Sequence, residues 1–359
     1  MHGHTPGRKS AFFVVALANF SSDAYAWMMS ILLTGGAGFI GAAVAEHLLA
    51  RGESVVILDS FNDYYPVSLK RDRIARLARF ADALTVHEID FSDAAAVEAA
   101  LADTPFDRIV HLGAQAGVRY SLENPLAYAA SNLTGHLVML EFARHRGVRH
   151  MVNASSSSVY GNNTKVPFAV EDPVDHPISL YAATKRADEL ISETYAHLYR
   201  TPLTGLRFFT VYGPWGRPDM MVWKCTDAVL AGRPIAVFNH GEMRRDFTYI
   251  DDIVAGVIAV LDNPPQDDGV TKPGGSAGPH ALYNIGNNRP EPLMRLIGLI
   301  EQACGKAALV DFQPMQPGDV ASTYADIDAI RADLGYAPST SIDSGVPAFV
   351  DWFRAYTRR

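Results

Sequence analysis

The pentapeptide YAATK sets Tyr181 and Lys185 four residues apart, which on a helix puts them on one face. A phenol with a pKa near ~10 is a poor base at neutral pH, but an adjacent ammonium favours its phenolate. Such a pair can take a proton from an alcohol and give it back. Upstream, NASSSSVYG (Asn153 to Gly161) sets Ser155, Ser156, Ser157 and Ser158 in a row at the end of an apolar, β-branched run. No carboxylate stands among them. Hydroxyls donate and accept without carrying charge, so they suit a place where an acid would do harm. The bland alternative is a strand end capped by local backbone bonds, which is most credible for Ser155.

A second constellation is TGGAGFIG, with Gly35, Gly38 and Gly41 at G-x-x-G-x-x-G spacing between a strand and a helix. Glycines there permit a tight turn, close approach of backbone to a pyrophosphate, and close packing of the helix that Phe39 and Ile40 open. The next strand ends in Asp59, where a carboxylate can accept both hydroxyls of an adenosine ribose. It would repel a 2′-phosphate, so the expected cofactor is NAD rather than NADP. Asp90 and Phe91, after the third strand, are expected to border the adenine, although a strand-ending turn accounts for them as well.

These residues need a rigid frame. From Ser30 onward, ILLTG, SVVILD, LTVHEID, RIVHLGA, RHMVNAS and PLTGLRFFT are short and apolar, as strands buried on both faces should be. Helical patterns separate them, including PLAYAASNLTGHLVMLEFARHRG and SLYAATKRADELISETYAHLYR. The alternation predicts an α/β fold, a doubly wound parallel sheet. After Gly213 prolines and glycines punctuate shorter elements, and a smaller α+β domain is expected over the sheet's carboxyl edge. The segment 263–280 reads as a flexible surface loop.

Composition narrows the partners. The 359 residues carry a net charge of -8, with no basic cluster that could follow a phosphate backbone, so no nucleic-acid partner is expected. Cys225 and Cys304 are the only cysteines, which points to a reducing compartment, no disulfide framework and no metal site. Within residues 1–28, Arg8 and Lys9 precede AFFVVALANF, and Ala24 to Ala26 imitate a signal-peptidase site. The run is too short to span a bilayer, so no membrane partner is expected. With a cofactor-binding strand starting at Ser30, residues 1–28 are expected to be an over-extended start or a disordered tail, and the protein cytoplasmic.

Taken together, the chain from Ile31 to Tyr356 resembles the extended short-chain dehydrogenase/reductases, and among them the NAD-dependent nucleotide-sugar epimerases. The resemblance is carried by FNDYYPVSLK, AQAGVRYSLENP, SSSSVYG, VDHPISLYAATK, LRFFTVYGPWGRPDM, NHGEMRRDFTYIDDI, YNIGN and QPGDV. It implies a Rossmann domain over 29–211 plus about 247–286, and a UDP-sugar-binding domain over 212–246 plus about 287–359. It also implies transient oxidation at C4 of a UDP-uronic acid, interconverting UDP-glucuronate and UDP-galacturonate. Tyr181 would take the proton of the sugar 4-hydroxyl, with Lys185 beside it and Ser156 as a relay.

Relatives that dehydrate or decarboxylate the sugar carry an acid one or two positions after that relay, where this chain has Ser157 and Ser158. A 4-keto uronic acid loses CO2 when its carboxylate stands perpendicular to the carbonyl plane, and serine hydroxyls can hold it near the plane. Thr210 and Arg217 match the family's substrate loop, the guanidinium being suited to a carboxylate. Arg245 matches a diphosphate ligand, Phe238 is expected near the uracil, and Gln316 and Asp319 near the nucleotide. Arg119 is either a substrate contact or a solvent-facing charge. Ser60 and Gly113 depart from the family's asparagine and alanine. The helices around Asn132 and Tyr181 resemble those that pair in a four-helix homodimer interface, and could also simply cover the sheet. A decarboxylating enzyme or a neutral-sugar epimerase would use the same scaffold; the missing acid speaks against the first and Arg217 against the second. A non-catalytic dinucleotide sensor would not need Tyr181 or Lys185.

Overall fold

The computed structural model describes residues 29–315 and 321–359. The 1–28 extension, Gln316 and Asp319 lie outside the described residues. The chain opens with β1 (Ser30–Thr34), α1 (Phe39–Ala50), β2 (Val55–Asp59), α2 (Val67–Ala75), β3 (Leu84–Glu88), α3 (Ala94–Leu101) and β4 (Phe106–His111). It continues through α4 (Gly135–Arg146), β5 (His150–Ser156), α5 (Leu180–Tyr199) and β6 (Leu203–Phe208). All six expected strands form. β2 and β6 are buried along their whole length, β2 as an apolar run closed by Asp59 and β6 with Arg207 paired inside to Glu189.

A seventh strand joins them from far along the chain. After β7 (Thr210–Tyr212), α6 (Met221–Ala231), β8 (Pro234–Val237), β9 (Arg244–Tyr249) and α7 (Ile250–Asp262) comes β10 (His280–Ile285), which pairs with β6. The sheet order is β10-β6-β5-β4-β1-β2-β3, every pair parallel. The segment expected to be a loop before β10 carries its own turns, Lys272 N donating to Ser276 O at 2.8 Å. One helix departs from expectation. The pattern beginning at Pro125 is interrupted by a π-helical turn over Ala129–Thr134 before α4 begins.

The remaining elements are β11 (Pro290–Pro292), α8 (Leu293–Cys304), β12 (Leu309–Phe312), β13 (Ser322–Thr323), α9 (Asp328–Leu334) and α10 (Ile342–Thr357). β11, β9 and β13 form a small sheet to which β7 adds, and β8 pairs with β12. Val222, Phe247, Leu296, Ile300, Val346 and Phe349 fill a separate core between this layer and its helices. Among the described residues, no helix is long and apolar enough to cross a membrane.

Candidate active site

At the carboxyl ends of the parallel strands lies a cavity of about 660 Å³. Its walls include Gly35, Gly38, Phe39, Ile40 and Gly41 at one end, Asp59, Asp90 and Phe91 beside them, and Ser156, Ser157, Ser158, Tyr181, Lys185, Thr210 and Arg217 at the other. Residues from seven segments of the sequence therefore share one space. The crevice outside the strand carboxyl ends is where open α/β sheets bind ligands.

The glycine loop has no room for side chains. Gly35 has φ +70°, and a Cβ on Gly41 would stand 2.2 Å from the Gly35 carbonyl oxygen. The amides opening α1 have no side-chain cap, leaving them for an anion. Asp59 is held in place by its own neighbours: Ala37 N donates to Oδ2 at 3.0 Å and Phe61 N to Oδ1 at 2.8 Å. Two backbone bonds fix the carboxylate at the loop's flank with lone pairs to spare. Phe91 meets His111 edge to face at 5.2 Å between centroids. A Cβ on Gly113 would come 2.5 Å from the Phe91 ring, so alanine at this position requires that ring to move. Uncapped amides, glycines without space and an anchored carboxylate fit a dinucleotide.

Tyr181 lies in the first turn of α5, whose N-terminus is capped by Ser179 Oγ accepting from Ala182 N at 3.1 Å. Its ring meets Tyr128 edge to face at 6.0 Å between centroids. Lys185, one turn on, is buried and donates to Ala154 O at 2.9 Å and to Asp188 Oδ2 at 3.1 Å. Burial pushes the Asp188 carboxyl up to about 6, against the pull of Lys185. The serines divide by neighbour. Ser155 donates to Glu189 Oε1 at 2.6 Å, in a buried cluster where Arg207 grips the same carboxylate through Nε at 2.8 Å and Nη2 at 3.0 Å. Ser156 accepts from Ser158 N at 3.1 Å, so it also caps the short 3₁₀ turn Ser157–Tyr160. Local capping and a place on the cavity wall coexist at Ser156.

Arg217 is already gripped. Its Nε donates to Asp219 Oδ1 at 3.0 Å and its Nη2 to Asp219 Oδ2 at 2.6 Å, with Tyr64 Oη reaching the same oxygen at 3.3 Å. Burial works against the Arg217 charge, but the Asp219 bonds outweigh it and raise its pKa. Arg119 and Phe238 do not line the cavity; the guanidinium lies over the phenyl ring at 4.8 Å from its centroid. Arg245 is also outside the cavity, donating through Nη1 to Arg244 O at 2.9 Å and Ala321 O at 3.3 Å.

Three further residues shape the site. Asn132, in the π turn, brackets Gln115 after β4: Oδ1 accepts from its N at 2.8 Å, and Nδ2 donates to its O at 3.1 Å and to Thr184 Oγ1 at 3.0 Å. Asp188 and Asp219 each hold a cationic side chain of the cavity wall. Their spacings, three residues after Lys185 and two after Arg217, are the local ion-pair signal by which the sequence could have shown them. Asn132 offered none.

Residues 31–286 match the model of the NAD dependent epimerase/dehydratase family. The chain is 46% identical to Protein CapI of Staphylococcus aureus over 336 residues, covering 92% of this chain and 100% of that one. It is 44% identical to a probable UDP-glucuronate 4-epimerase of Rhizobium meliloti (strain 1021), covering 92% of this chain and 98% of the relative. Among solved structures, UDP-glucuronic acid 4-epimerase from Bacillus cereus in complex with UDP-glucuronic acid and NAD is similar at a TM-score of 0.81 and 30% identity, covering 91% of this chain and 100% of that one. A glycine loop, an anchored Asp59 and a Tyr181–Lys185 helix around one cavity are thus no isolated likeness: the chain belongs to the NAD dependent epimerase/dehydratase family, and its dinucleotide is NAD.

Proposed function

We propose that the protein is a UDP-glucuronate 4-epimerase, interconverting UDP-glucuronate and UDP-galacturonate. The observation that carries this reading is one cavity wall combining Tyr181 and Lys185, an acid-free serine run and Arg217. Gly35, Gly38, Phe39, Ile40, Gly41, Asp59, Asp90, Phe91 and Lys185 would hold the NAD. When bound, NAD supplies the acceptor and then the donor of the C4 hydride.

The chain's own residues handle protons, charge and geometry. Tyr181 takes the proton of the sugar 4-hydroxyl and later returns it, with Ser156 as the relay. Lys185, aimed by Ala154 O and Asp188, places its charge near the phenol. Asp219 occupies Nε and Nη2 of Arg217, which leaves the Nη1 hydrogens for the substrate carboxylate. Ser157, Ser158 and Thr210 add hydroxyls that keep that carboxylate near the ring plane during the 4-keto stage. Arg245 and Asp319 serve the nucleotide, and the Arg119–Phe238 stack is the surface on which the uracil would lie.

The lobes divide the work: 29–211 plus about 247–286 binds NAD, while 212–246 plus about 287–359 binds the UDP-sugar. A homodimer forms through α4 and α5 of two copies as a four-helix bundle. Leu137 on α4 and Leu190 and Leu198 on α5 support this, being 42%, 53% and 60% exposed. The protein works in the cytoplasm, consistent with two buried, unbridged cysteines.

Incubation of purified protein with UDP-glucuronate, followed by NMR of the nucleotide sugars, tests the central reading. UDP-galacturonate should appear without CO2. Recovery of unchanged UDP-glucuronate alone, or of a UDP-pentose, would overturn it.

A further inference from the structure

Arg73 on α2 is fully buried, with 0% exposure, and among the described residues no carboxylate is its partner. Every one of its five N–H donors is nevertheless used. Nε and Nη2 converge on Trp215 O at 3.0 and 2.7 Å, and Nη2 also donates to Gly216 O at 3.1 Å. Nη1 donates to Ala37 O at 3.1 Å and to Tyr65 Oη at 2.7 Å. Ala37 belongs to the glycine loop, and Gly216 immediately precedes Arg217. One rigid fork therefore fastens the cofactor loop to the loop carrying the cation that faces the sugar.

The receiving loop needs such a fastening. Trp215 has φ +65°, a left-handed conformation that a bulky residue enters only when its surroundings impose it. Its ring is caged by the Arg76 guanidinium at 4.7 Å, Trp352 at 5.3 Å and Tyr356 at 5.3 Å between centroids. The cage fixes the ring, and Arg73 fixes the two carbonyls. A guanidinium buried without a counter-ion is a costly way to fill space, whereas its planar fork reads several oxygens in fixed relative positions. Lysine, with three donors on one atom, cannot do this. We propose that Arg73 is a positioning residue for substrate specificity: by clamping Trp215 and Gly216 to Ala37, it sets where the Arg217 guanidinium stands and so the protein's preference for a sugar bearing a carboxylate.

This rests on the reading of Arg217 as the carboxylate's partner, and the test separates the two. The protein with NAD bound is titrated calorimetrically with UDP-glucuronate and with UDP-xylose, which differ only in the carboxylate on C5. Arg73→Lys should weaken UDP-glucuronate on the order of 10- to 100-fold, the scale of a lost charge-assisted bond, while UDP-xylose stays within about 2-fold. Tyr65→Phe, which removes one acceptor of the fork, should shift the same ratio in the same direction by a smaller factor, and decides the matter if the lysine variant does not fold. Parallel weakening of both ligands would reduce Arg73 to a general scaffold residue, and no weakening of either would remove it from the site; both overturn the proposal. Arg217→Ala is the control. If it leaves the UDP-glucuronate affinity intact, the carboxylate reading itself has failed; if it weakens that ligand and the Arg73 and Tyr65 variants do not, only the role of Arg73 has.

Discussion

Lys185 spends two of its three ammonium hydrogens inside the protein, on the Ala154 carbonyl and on Asp188, and keeps one for the cavity. That economy makes its place on α5 rigid; in the proposed reaction Tyr181 is the group that moves a proton. Tyr181→Phe should therefore keep the NAD and UDP-sugar affinities and slow epimerisation by ~10²–10⁴-fold, as measured by turnover and by titration. Near-normal turnover would remove Tyr181 from the reaction. Arg217 raises a question of product as well as rate. With its guanidinium gone, the substrate carboxylate can swing out of the ring plane, so Arg217→Ala should release CO2 from carboxyl-labelled UDP-glucuronate where the wild type releases almost none. Equal, negligible release with unchanged affinity would count against the carboxylate contact. At this scale the sequence displayed its cations and nucleophiles plainly, because YAATK and GRPD are local patterns. It hid Arg73, since VSLKRDRIA reads as a solvated charged face when nothing reveals the loop that folds over it.

At the scale of elements, α5 and its neighbours bury polar groups that periodicity alone would assign to solvent. Lys185, Asp188, Glu189 and Ser192 lie on the covered face of α5: Lys185 meets β5 and Asp188, Glu189 meets β5 and β6, and Ser192 meets α4. Histidines join this interior: His111 on β4, His136 on α4 and His150 on β5 are all buried. Burial holds His136 down at about 3, His150 at about 4 and His111 well below its ordinary value. In the unfolded chain each titrates near ~6.5, so between about pH 6.5 and 4 the unfolded state binds protons that the folded state refuses. Stability falls as pH drops through that window. Asp188, Asp246 and Asp251 oppose this, since burial raises all three, the first two to about 6, and folding then favours their protonated forms. The histidines begin to act at a higher pH, and carboxylates held low by their partners, such as Glu189 and Asp219, act with them, so the urea midpoint should be lower at pH 4.5 than at pH 7. An equal or higher midpoint at pH 4.5 would mean that the histidines are not held neutral. The six strands were legible because apolar residues cover both faces. The π turn was not, because Asn132 takes its place through a long-range bond to Gln115.

For the whole molecule, the strand–helix alternation was enough to predict a doubly wound sheet and a smaller lobe at its carboxyl edge. The strand at the sheet's edge escaped because polar residues interrupt HALYNI although it is buried throughout: His280 meets Glu193, and Asn284 bonds Tyr160 and Phe168. Assembly tests the outer faces of α4 and α5. If the proposed four-helix interface forms, Leu190→Glu puts a charge in it, so sedimentation velocity should give a dimer for the wild type and a monomer for the variant; a dimer in both would place the interface elsewhere. The position of β10 at the end of the sheet also bears on how the protein is made. β6 ends at Phe208 and its partner begins at His280, with β7, α6, β8, β9 and α7 in between. About seventy residues separate the two, so at the ~5–20 residues per second of translation the nascent chain shows an unpaired strand edge for several seconds. Such an edge is a template for pairing with another chain. Polysomes crowded on one message would carry several of them side by side, so the interval before β10 emerges is when the growing chain is most open to pairing with a neighbour.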